Sequence, residues 1–129
     1  MVTEQQFREV VRRMVDAEKA GDWDAMDDVV DEYFTSDYVG HLPGAADPVR
    51  GQKELKEYWR NVVGSISGMR STIEDLFVAG ENAAGRFTAR STDPATGKTR
   101  RATVILISHL QGGKFAEDWE VAGEWEDEG

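Results

Sequence analysis

Cysteine is absent from all 129 residues, which removes thiol nucleophiles, thiolate metal sites and disulfides. Long apolar runs are missing too, and no segment approaches the roughly 20 apolar residues that cross a bilayer. The opening stretch Met1 to Gln6 carries Glu4 where a secretory leader needs an apolar run, so a cytoplasmic location is expected. Positive charge is in deficit: 15 basic residues face 25 acidic ones, for a formal net charge of −10. Such a surface repels phosphate backbones and anionic lipids, which argues against nucleic-acid or membrane partners. Histidine is limited to His41 and His109 with no helical pairing, too few for a zinc or iron site. There is no phosphate-cradling glycine loop, serine elbow or dinucleotide fingerprint, and so no cofactor or metal is expected.

The residues that are present divide the chain into helices followed by strands. Thr3 and Gln6 have the form of a capping box, and Phe7, Val10, Val11, Met14 and Ala17 recur at helical spacing until Gly21. Asp22 is placed to cap a second helix with Met26, Val29, Val30 and Tyr33 on its apolar stripe and Asp24, Asp27, Asp28 and Asp31 mostly toward water. Tyr38 to Leu42 reads as a short extended piece, and Pro43-Gly44 through Pro48 as a loop. A third helix is expected from about Gln52, burying Leu55, Tyr58, Trp59, Val62, Val63 and Ile66. From Ser71 the period becomes two, and turns at Gly80 to Asn82, Asp93 to Gly97 and Gly112-Gly113 give four strands in an antiparallel meander. With no repeat and no linker, residues 1–129 read as one α+β domain, helices packed on a sheet.

The residues Tyr38-Val39-Gly40-His41-Leu42-Pro43-Gly44, Gly51 opening a helix, Thr72 to Leu76, Arg86-Phe87-Thr88 and Gly113 to Trp119 occur in an order that resembles the SnoaL-like polyketide cyclase group of the NTF2-like superfamily. The resemblance implies a cone in which three N-terminal helices pack on a curved antiparallel sheet around an apolar pocket. It also implies frequent homodimers joined through the outer sheet face. In the cyclases an acid on the last strand serves as general base, in a pattern similar to Glu-x-Trp-x-x-x-Asp. Here the frame is Glu117, Trp119 and then Gly123 in place of the aspartate.

Strict alternation along the last strand puts Phe115, Glu117, Trp119, Val121, Gly123 and Trp125 on the core-facing side, and Lys114, Asp118, Glu120 and Glu124 toward solvent. Glu117 is therefore the expected catalytic carboxyl, burial raising its pKa toward neutrality; the alternative is a structural pair with a buried arginine. His41, which the resemblance sets near the pocket mouth, is the expected partner in proton transfer or oxyanion binding, or else a loop anchor. His109 reads as a strand-end structural residue. Tyr38, Trp59 and Trp119 are expected to line the cavity, while Arg86 and Arg90 lie opposite Phe87 at the surface or a dimer interface. Two functions fit. One is a cofactor-independent cyclase, isomerase or hydratase acting on a small hydrophobic carbonyl compound; the other is a non-catalytic ligand-binding or dimerisation module.

Overall fold

A computed structural model describes residues 2–128. The first helix, α1 (Glu4–Ala20), starts where the capping box predicts: Gln6 N donates to Thr3 Oγ1 at 3.1 Å, and Thr3 N donates to Gln6 Oε1 at 2.9 Å. It stops at Gly21, whose left-handed φ of 65° lets its N–H return to the last carbonyls. Asp22 then accepts from Ala25 N at 3.1 Å and opens α2 (Trp23–Tyr33). Three of the aspartates on α2 have partners on α3 (Gly51–Asn61): Arg60 donates to Asp27 at 2.8 Å and to Asp24 at 3.3 Å, and Lys56 to Asp31 at 2.6 Å. A single 3-10 turn, Val63–Ser65, follows α3.

The strands are β1 (Phe34–His41), β2 (Val49–Arg50), β3 (Arg70–Ala79), β4 (Asn82–Thr92), β5 (Thr99–Gln111), β6 (Lys114–Ala122) and the two-residue β7 (Glu126–Asp127). The expected four-stranded meander is β3 to β6. The sheet is larger and mixed, in the order β2-β1-β6-β5-β4-β3, because β1 joins β6 in parallel and β7 pairs with β5. Parallel pairing needs a long crossover, and the stretch from β2 through α3 to β5 supplies it.

The sheet is curved and unclosed, and the three helices cover its inner face. The core begins at the joint between α1, β1 and β6. Phe115 stacks on Phe34 with centroids 4.7 Å apart and meets Phe7 at 5.6 Å, while Tyr38 stands edge-on to Phe34 at 4.9 Å. Each such buried ring contributes roughly 1.5–3 kcal/mol. They fill one end of the space under the sheet and leave the other end open.

Candidate functional site

That open space is a cavity of about 320 Å³ between the helices and the inner sheet face. Its walls are apolar and aromatic, among them Phe34, Leu55, Trp59, Leu106 and Trp125. Its ionisable groups are Glu18 from α1, Tyr38 from β1, Tyr58 from α3, and Asp118 and Glu120 from β6; no lysine, arginine or histidine is among the described residues that line it.

The acids of β6 are inside because the strand is not regular. The tight Gly112-Gly113 turn pairs Gln111 with Lys114 and Leu110 with Phe115, and regular continuation would set Ser108 opposite Glu117. Instead Ala116 is an extra residue, and beyond it His109 pairs with Glu117 and Ser108 with Asp118. A one-residue slip exchanges the faces of everything that follows. Asp118 and Glu120 therefore point into the cavity. The solvent-facing placement expected for them from strict alternation is corrected by this bulge, and so is the core-facing placement of Glu117 and Trp119.

Asp118 is 5% exposed and doubly held: Tyr38 Oη donates to one carboxylate oxygen at 2.8 Å and Ser108 Oγ to the other at 2.6 Å. Burial pushes its pKa up to about 6 against the opposing pull of these two donors. Tyr38 reaches it by lying across Gly40, where an added Cβ would sit 2.5 Å from the tyrosine hydroxyl. Glycine at position 40 is thus the condition for the Tyr38–Asp118 bond. The phenol of Tyr38 is itself held protonated, its pKa raised by burial and by Asp118.

Glu120 has no hydrogen-bond donor among the described residues, and its carboxyl pKa is pushed up to about 8, first by burial, then by the charges of Asp118 and Glu18. Glu18, buried on α1, accepts from Ser71 Oγ at 2.9 Å; burial also raises its pKa. Tyr58 donates to the Pro43 carbonyl at 2.7 Å. The cavity therefore holds two neighbouring carboxyls whose pKa values are both raised by burial, that of Glu120 further than that of Asp118, which alone has hydrogen-bond donors. Environments that drive two titratable groups apart in this way separate acid and base roles.

On the other side of the sheet, His41 Nε2 lies 2.8 Å from Glu117 Oε2, and both side chains are more than a third exposed. His41 stacks on Trp119 at 5.4 Å, and His109 meets the same indole edge-on at 4.8 Å. Of the five residues expected at the site, Tyr38 and Trp59 line the cavity, while Glu117, His41 and Trp119 form this outer-face cluster. Arg86 and Arg90 are surface residues, paired with Asp75 and Glu128.

The cavity acids that sequence reasoning missed left a partial trace. Glu18 continues the α1 stripe through Phe7, Val11 and Met14 at steps of four, three and four, a charged residue in an apolar phase. Ser108 likewise stands between Leu106 and Leu110 on the buried phase of β5. No cluster of three or more potential metal ligands occurs among the described residues.

Helices folded onto a curved, unclosed sheet around an acid-bearing pocket define the NTF2-like class of cone-shaped domains. The chain belongs to the SnoaL-like domain family, whose model matches residues 11–118. Among solved structures, it is similar to IdmH of Streptomyces antibioticus, a candidate polyketide cyclase, with 24% identity over 89% of this chain and 90% of that one and a TM-score of 0.72. A candidate SnoaL-like polyketide cyclase from Jannaschia sp. CCS1 is 17% identical over 92% and 86% of the two chains, with a TM-score of 0.75. A candidate ketosteroid isomerase from Kribbella flavida is 15% identical over 94% and 80%, with a TM-score of 0.70. These likenesses establish the fold. Nothing among curated proteins matches the chain.

Proposed function

We propose that the cavity binds a small, mostly apolar carbonyl compound and that Glu120 carries a proton on it, without a cofactor, as in a cyclase, isomerase or hydratase reaction. The observation that carries this reading is an unpartnered carboxyl facing an apolar cavity beside Asp118, whose two oxygens are held by Tyr38 and Ser108. A general base works best with a pKa near the operating pH, and about 8 meets that condition. As carboxylate, Glu120 takes the proton from the carbon beside the carbonyl; as acid, it returns a proton to the product. The charge on Asp118 keeps Glu120 basic, and Tyr38 and Ser108 keep that charge in place. The polyketide cyclase and isomerase descriptions of the similar structures support this chemistry.

The test is exchange of the α-protons of β-tetralone into deuterated buffer at pH 8, followed by proton NMR. Wild type accelerates the exchange over buffer, Glu120→Gln loses that acceleration by roughly 10²–10⁴-fold, and Glu117→Gln retains it. No acceleration by wild type, or full acceleration by Glu120→Gln, makes the cavity a binding site without catalysis.

The outer sheet face supports a second reading, a homodimer. Phe77, Ala84, Ile107, Trp119 and His41 occupy successive strands in one register row, with Phe77 60% and Ile107 48% exposed, and Ile105 and Val121 lie in the next row. An apolar stripe of this width is self-complementary under a two-fold axis. Sedimentation equilibrium at micromolar concentration reads a dimer that Trp119→Glu converts to monomer; a wild type that is already monomeric removes the reading.

A further inference from the structure

The proposed carbonyl chemistry leaves one cavity acid without a task. Glu18 reaches the space from α1, opposite the strand that carries Asp118 and Glu120, and one Ser71 hydroxyl is the donor it has. The groups facing it across the cavity are Glu120 and Asp118 from β6, Tyr38 from β1 and Tyr58 from α3, none of which is a cation. Glu120 is itself unpartnered and aimed into the same space. Glu18 is 9% exposed, and a carboxylate so far removed from water needs a paired positive charge. Among the described residues none lines the cavity: Arg13 and Arg60 pair with Glu32 and Asp27, and Lys19 and Arg70 share with Glu18 a second cleft on its other side. The walls around the acids are aromatic, with Tyr58 and Trp59 among them, and ring faces attract a cation, as Trp125 already does with the Arg100 guanidinium 5.4 Å from its ring.

We propose that the ligand selected by this cavity carries a basic nitrogen, whose ammonium form lies against Glu18 beside Glu120 with its apolar remainder among Phe34, Leu55, Trp59 and Trp125. This rests on the carbonyl reading and narrows its substrate to amine-bearing compounds. It also has a consequence for the proton carrier. An ammonium next to Glu120 favours the carboxylate, so binding releases a proton and leaves the base ready at neutral pH. A ligand bearing a carboxylate or phosphate meets three acids and no partner, and is excluded.

The experiment titrates the full chain at pH 7 with three molecules of one shape, 4-phenylbutylamine, 4-phenylbutan-1-ol and 4-phenylbutyrate. Tryptophan fluorescence reports binding, since Trp59 and Trp125 line the cavity. Potassium chloride at about 0.3 M screens attraction to the acidic surface. The amine binds at least about tenfold more tightly than the alcohol, and the alcohol at least about tenfold more tightly than the acid. In Glu18→Gln the amine and the alcohol bind alike. Calorimetry in two buffers of different ionisation enthalpy shows a proton released on amine binding. An amine-to-alcohol ratio below tenfold, an acid that binds as well as the alcohol, or a folded protein that binds none of the three overturns the proposal. The wild-type ratios decide this even where Glu18→Gln does not fold. Tetralone exchange that depends on Glu120, combined with no amine preference, removes the ligand class while leaving the carbonyl chemistry standing.

Discussion

On the outer face of β6, Glu117 lies in reach of water with its carboxylate on His41; one residue later, on the inner face, Asp118 is sealed under Tyr38 and Ser108. The two acids are adjacent in sequence and share a strand, yet burial moves the pKa of one up to about 6 while the other stays against an exposed imidazole. Side-chain chemistry does not separate them. The extra residue Ala116 does, because it decides which acid loses its water.

The largest effect that sharpens this comparison is in packing. Phe115, the last inward residue before the bulge, is sandwiched by Phe34 and Phe7, and Phe115→Ala is expected to cost about 3–5 kcal/mol in urea unfolding. Trp119 is a larger ring but stands on the outer face at 37% exposure, and Trp119→Ala is expected to cost about 1 kcal/mol at protein concentrations that keep the chain monomeric. Equal losses at the two positions would mean that the strand has no bulge.

A smaller effect lies in the pH dependence of stability. The pKa of Glu120 is raised on folding to about 8, so between its unfolded value near 4.5 and that value the folded chain holds a proton that the unfolded chain has released. Its contribution to stability is fully present below pH 4.5 and declines as pH rises through 8. Glu120→Gln removes that decline. Relative to wild type, the variant gains on the order of 1–3 kcal/mol between pH 5 and pH 9, measured by urea midpoints across the range. A matching pH-dependent gain in Glu117→Gln would reverse the assignment of the two faces.

The difference between the faces also explains which parts of the molecule were legible in the sequence. The helix boundaries at Thr3, Gly21 and Asp22 were readable because each is fixed by a local bond between a side chain or glycine and the nearest turn. Trp59 was readable as a cavity residue because α3 keeps a regular helical period, whereas β1, which carries Tyr38, shifts register against β6 between Phe34 and Val39. The face of the final acids was not, because a bulge at Ala116 is set by how β6 meets β5 and β1 together, and an alanine between Phe115 and Glu117 carries no local mark of it. The pairing of β1 with β6 was equally hidden, since its partners are about 80 residues apart in the chain. That Gly40 makes room for the hydroxyl of Tyr38 was hidden as well, since it depends on Asp118 across the sheet.

Inside the cavity, Glu120 is the carboxyl whose proton is available near neutral pH. Carbon-13 NMR of glutamate carboxyls, titrated from pH 3 to pH 10 in wild type, Glu120→Gln and Glu117→Gln, measures it directly. One glutamate resonance is expected to titrate near pH 8, to vanish in Glu120→Gln and to persist in Glu117→Gln. A wild-type spectrum in which every glutamate has titrated by pH 6, or a high-pH resonance that vanishes with Glu117→Gln, would contradict it.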